Sequence, residues 1–88
     1  MNETEARKQL ENDGFRNISV FKDGPGKFYS DHVHMALTAH IILDGKMTLE
    51  WGNRKNTYRK GDRFDIEKND IHSTIMGSEG CTYITGNK

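Results

Sequence analysis

The chain is short of the residues that staple or steer a protein. It has one cysteine, Cys81, and one proline, Pro25, in 88 residues. A lone thiol forms no intramolecular disulfide, so the fold must hold without covalent cross-links, as expected in a reducing compartment; the cytoplasm is the expected location. No apolar run approaches the roughly 20 residues of a membrane-spanning helix. The N-terminal MNETEARKQL has neither the basic start nor the apolar stretch of a secretory signal. Excess charge is missing too, because thirteen Lys and Arg balance thirteen Asp and Glu. With no net field, neither nucleic acid nor a membrane surface is an expected partner. Hydrophobic residues make up only 33% of the chain. At this length that supports one core, so residues 1–88 are expected to form a single domain of modest stability, which a partner subunit would help.

What is present is one helix followed by turn-punctuated β texture. Asn2 offers an N-cap, Glu5 stands where a capping box needs a carboxylate, and Gly14 supplies a permissive residue at the far end, so residues 3–13 read as a helix. Only Ala6 and Leu10 mark its inner face. So thin a stripe must lean on the domain's own sheet or on a neighbouring subunit. The domain thus divides into a helical region, 1–14, and a β region, 15–88. In the latter, FRNISVF, TAHIILDG, KMTLEWGN, NTYRKGD, RFDIEKND, HSTIMG and CTYITG read as strands separated by Gly, Asn and Asp turns. A turn signal every eight to twelve residues or so is the spacing of an all-β sandwich or barrel. Met47, Leu49 and Trp51 share one face of their strand, and Phe64 and Ile66 oppose Asp65 and Glu67. In TAHIILD both faces are partly apolar, with Thr38, His40 and Ile42 on one and Ala39, Ile41 and Leu43 on the other. That strand is expected to be covered on both sides.

Three of the four histidines, His32, His34 and His40, fall in the ten residues DHVHMALTAH, and His72 follows the turn-rich EKND. Two histidines one residue apart on a strand project to the same face and can offer two imidazoles to one ion. A returning strand could bring His72 alongside them, and three ligands with an open position suit catalysis better than a closed structural zinc site. Tyr29 and Tyr83 are candidates for the pocket wall, with structural packing as the alternative. Asp31 could accept the far ring N–H of a histidine, Asp62 is expected to bond within its turn, and Pro25 between two glycines marks a rigid turn. Nothing around Cys81 favours its thiolate, so packing in a late strand is expected.

Spacing then points to a family. Gly26, five residues, His32-Val33-His34, three residues, Thr38, six residues and Gly45 reproduce the first cupin motif. Gly61, five residues, Glu67, one residue, Asn69, two residues, His72, three residues and Met76 reproduce the second, and fifteen residues separate the motifs. The chain resembles the small single-domain cupins of the RmlC-like superfamily. That resemblance implies an all-β, antiparallel barrel or jelly roll of six to eight strands with a short N-terminal helix outside. It also implies a divalent transition metal, Fe(II), Zn, Mn or Ni, held by His32, His34 and His72. Thr38 occupies the position of the usual glutamate ligand, Glu67 that of a proline, Met76 that of an asparagine, and Asn69 that of a glycine whose positive φ asparagine tolerates.

Two accounts of Thr38 stand open. The site resembles the three-histidine cupins, which include iron(II) dioxygenases; or His40, two residues on and on the same face, replaces the glutamate as a ligand. In the first account His40 lines the pocket with Thr38, Tyr29 and Tyr83. The expected function is metal-dependent chemistry on a small molecule, dioxygenase-like before isomerase or lyase. The alternative is a non-catalytic small-molecule sensor or metal-binding module, so enzymatic status is left open. A homodimer is the expected assembly, since a second copy would shelter edge strands.

Overall fold

The computed structural model describes residues 1–88. Helix α1 (Glu3–Asn12) opens the chain, and six strands follow: β1 (Arg16–Asp23), β2 (Phe28–His32), β3 (Thr38–Trp51), β4 (Arg54–Arg59), β5 (Arg63–Ile66) and β6 (His72–Asn87). Every pairing is antiparallel. The architecture is therefore all-β with one short N-terminal helix. No helix is long and apolar enough to cross a membrane.

β3 and β6 organise the rest. They pair along most of their length, the N-terminal half of β3 with the C-terminal half of β6 and the reverse. The first half-pair is flanked by β1 and β5, the second by β2 and β4. Two layers result, β1-β6-β3-β5 and β2-β6-β3-β4, sharing bent central strands in the manner of a jelly roll.

These bends correct the strand list read from the sequence. TAHIILDG and KMTLEW are one strand, as are HSTIMG and CTYITG. The glycines between them bend the strands without ending them, and the β3–β6 register shifts between Ile42 and Asp44 and again between Gly45 and Met47. The shift also switches parity. Ile42 faces the inner core before the bend, and Met47 and Leu49 face it afterwards; β6 does the same, with Met76 before its bend and Cys81 and Tyr83 after. Gly45 (φ 73°) and Gly80 (φ 78°) make the close approach possible: a Cβ on Gly45 would run into the Gly80 carbonyl, and one on Gly80 into the Asp23 carbonyl.

Alternation then builds two apolar clusters. The inner one, between the layers, comprises Ile42, Met47, Leu49, Phe64, Ile66, Met76, Cys81 and Tyr83. The outer one places Ala6, Leu10 and Phe15 against Ala39, Ile41 and Ile84. Helix α1 therefore leans on the chain's own sheet. Its start carries the expected capping box, Glu5 N–H to Asn2 Oδ1 at 2.9 Å and Asn2 N–H to Glu5 Oε1 at 3.1 Å. Leu10 is fully buried, a contribution of about 1.5–3 kcal/mol.

Candidate metal centre

His32 ends β2 and pairs directly with His72, the first residue of β6. Their ring centroids are 4.2 Å apart. His34 lies beyond the end of β2, so the simple strand alternation expected for His-x-His does not apply to it. A cross-link positions it instead: the Asn69 N–H donates to the His34 carbonyl at 3.0 Å. Asn69 has φ 69°, the left-handed conformation that its glycine position calls for. The loop leading into β6 is thereby tied to the loop leaving β2. The His34 ring comes to 4.9 Å from that of His72 and 5.5 Å from that of His32. One ligand nitrogen from each of the three histidines lies within 4.8 Å of the others.

The backbone sets the tautomers. His32 Nδ1 is 2.7 Å from the Ser30 carbonyl and His72 Nδ1 is 2.9 Å from the Asp70 carbonyl. A carbonyl only accepts, so each Nδ1 carries the proton and each Nε2 keeps its lone pair. The bond considered for the Asp31 carboxylate is made by the neighbouring Ser30 carbonyl. His34 Nε2 is buried with no hydrogen-bond partner. Burial, followed by the neighbouring His72 and His32, lowers the His34 pKa; burial also lowers that of His72, against the opposing Asp70 carbonyl. Neutral imidazoles with free lone pairs are the form a divalent metal takes. An orphaned, buried Nε2 beside two such rings fits an ion well.

The cluster borders an open cavity of about 320 Å³, whose wall also includes Thr38, His40, Tyr29, Tyr83 and Phe21. No carboxylate lines it. The Thr38 hydroxyl donates to the Ala36 carbonyl at 2.9 Å, so it is engaged by its own backbone. His40 pairs with Phe64 across the β3–β5 ladder, and their rings stack at 4.5 Å and 9°. His40 lies outside the three-histidine cluster. Burial pushes its pKa down to about 3, with His34 and His72 adding to the effect and the Thr38 carbonyl opposing it.

One group escaped the sequence reading. Asp23 accepts from Tyr83 Oη at 2.7 Å and from Tyr29 Oη at 3.1 Å. Burial and then Asp23 raise both phenol pKa values, so both remain donors. The only sequence clue is that Asp23 immediately precedes the turn Gly24-Pro25-Gly26-Lys27, which is closed by Lys27 N–H to Gly24 O at 3.2 Å. Asp62 accepts from the Arg59 N–H at 2.8 Å within its turn. Cys81 is buried, and desolvation, followed by Asp23 and Asp44, pushes its thiol up to about 11.

Solved structures with the same course of chain are numerous. A cupin superfamily protein from Desulfitobacterium hafniense superposes with a TM-score of 0.72 at 20% identity, over 80% of this chain and 63% of that one. The fold is a cupin fold. A cupin-2 domain protein from Shewanella frigidimarina gives 0.68 at 19% identity, over 81% and 69% of the two chains. The polyketide cyclase RemF from Streptomyces resistomycificus gives 0.70 at 19% identity, over 80% and 52%. The chain spans 63% of the length of the first of these structures. No protein-family model matches the sequence, and neither does any curated protein. At such identities the likeness carries the cupin fold alone, and the chemistry must be argued from the cavity.

Proposed function

We propose that this cupin barrel holds a divalent transition metal through His32, His34 and His72 and uses it to bind and transform a small molecule in the adjoining cavity. The observation that carries this reading is the three-imidazole cluster, with two Nδ1 protons fixed by backbone carbonyls and the third ring's Nε2 buried without a partner. A bound Fe(II), Zn, Mn or Ni ion would supply Lewis acidity or, for iron, redox chemistry. The chain's own part is to hold the His34 and His72 rings neutral, to keep both tyrosines protonated on Asp23, and to offer a wall of aromatic and hydroxyl groups. No carboxylate lines the cavity wall and burial makes the His40 ring a weak base, its pKa pushed down to about 3, which favours iron(II)-type oxygen chemistry over isomerisation or hydrolysis. The alternative is a sensor or metal-binding module using the same cavity without turnover. A homodimer accompanies either reading. β1 pairs on one side only, with β6, and Val20, Phe21 and Phe28 are exposed on β1 and β2, surface that a second copy would cover; light scattering tests it.

Elemental analysis of untagged protein tests the centre. The expected result is one ion per chain, lost in His32→Ala, His34→Ala and His72→Ala while far-UV circular dichroism is unchanged. An unchanged metal content in His34→Ala would overturn the ligand set.

A further inference from the structure

We propose that His40 is a ligand-binding residue of the cavity, hydrogen-bonding a polar group of the small molecule that approaches the three-histidine centre; the proposal rests on the metal reading above. The ring lines the cavity wall and the residue is 7% exposed. Its Nδ1 is buried without a full hydrogen bond and has only the Thr38 carbonyl beside it. A packing residue at this position would be better served by a carbon ring, because a buried polar atom without a partner costs free energy.

The ring is also fixed. Phe64 lies parallel to it at 4.5 Å and 9°, and Tyr83 stacks at 6.3 Å and 29°. Phe64 is in turn stacked on Tyr58 at 4.4 Å. An imidazole clamped in this way does not swing to join His32, His34 and His72, whose ligand nitrogens cluster without it. Yet it remains their neighbour, 5.6 Å from the His34 ring between centroids. It therefore presents a preorganised polar group beside the metal ligands, and preorganisation is what makes a hydrogen bond in a cavity effective. The chemistry of the wall narrows the occupant. With no carboxylate in the lining and the Thr38 hydroxyl engaged by Ala36, a cationic ligand finds no counter-charge. An oxygen chelator such as a hydroxamate, catecholate or carboxylate finds the metal, the imidazole and the aromatic surface of Tyr83 and Phe21.

The test uses the untagged full chain loaded with Co(II), whose visible spectrum reports coordination, and acetohydroxamate as the probe. One cobalt per chain is expected in the unmodified protein, in His40→Phe and in His40→Gln. The dissociation constant for acetohydroxamate should rise about tenfold in His40→Phe, the scale of one hydrogen bond, and return to within about threefold of the original in His40→Gln, which restores a polar side chain. His40→Leu gives the same readout if the phenylalanine variant does not fold. Loss of cobalt from a folded His40→Phe chain would make the ring a fourth metal ligand and overturn the proposal. Unchanged acetohydroxamate affinity in that variant, or an affinity in His40→Gln as weak as in His40→Phe, would reduce the ring to a packing element. Cobalt-loaded protein that leaves acetohydroxamate unbound would overturn it as well. Absence of cobalt from the unmodified chain would instead remove the metal reading, and the proposal with it.

Discussion

Adjacent residues of β3 serve opposite ends. Ala39 and Ile41 point to helix α1 and are fully sealed, in a cluster with Ala6, Leu10, Phe15 and Ile84 that contains no titratable group. Thr38 and His40 point the other way, to a cavity that also takes His34 and His72, where two buried ring nitrogens have no partner. The outer face satisfies every rule of a stable core, while the inner face breaks the rule that buried polar atoms are paired. Strand alternation thus separates stabilising residues from cavity-lining ones within a single layer. Uncompensated cost is concentrated where chemistry is proposed.

The largest effect should come from the sealed side. Leu10→Ala removes the main anchor of α1 and should cost about 2–5 kcal/mol, a large share of a small domain's stability. Urea unfolding measures it. Because Leu10 does not touch the histidines, the folded fraction should still take up one metal ion per chain. Loss of the ion in folded Leu10→Ala would show that the two faces are coupled and would break the comparison.

The faces meet at the bends, and there the reading of the sequence was weakest. A glycine that ends a strand and a glycine that bends one look alike in one dimension. What decides at Gly45 is Gly80, thirty-five positions away in the chain, whose carbonyl occupies the place of a Cβ. The Asp23–Tyr29–Tyr83 group was hidden for the same reason, since its members come from β1, β2 and β6. The motif spacings, by contrast, were legible because local backbone geometry enforces them. Gly26, Gly45 and Gly61 have φ of 68°, 73° and 90°, and Asn69 has 69°, so the gaps between motif positions record where the chain must turn. Spacing placed His32 and His72 on facing strands. It could not show that His34 lies past the end of β2, held by Asn69.

Gly80→Ala should therefore have an intermediate effect that reaches both faces. A methyl group there meets the Asp23 carbonyl and forces a φ of 78° on an L-residue. The expected cost is about 1–3 kcal/mol, together with a shifted near-UV tyrosine signal as the Tyr83–Asp23 bond is displaced. A neutral result in urea unfolding would mean that the bend tolerates a side chain and that its tight approach is incidental to the fold.

The smallest effect gives the sharpest contrast. In metal-free protein, His34, His40 and His72 all have pKa values below the ordinary 6.5, with His40 at about 3. Between about pH 6.5 and those lower values the unfolded chain binds more protons than the folded one, so stability must fall as the pH falls through that window and be recovered above it. For His40 the loss from pH 7 to pH 6 is under about 1 kcal/mol, and further down it steepens toward about 1.4 kcal/mol per pH unit. His40→Gln removes one of these groups and should flatten the dependence of the urea midpoint on pH. Leu10→Ala should lower the midpoint at every pH and leave the dependence unchanged, since the outer cluster has nothing to titrate. If the two variants kept the same slope, the cost of protonation would not reside in the cavity, and the division of labour along β3 would fail.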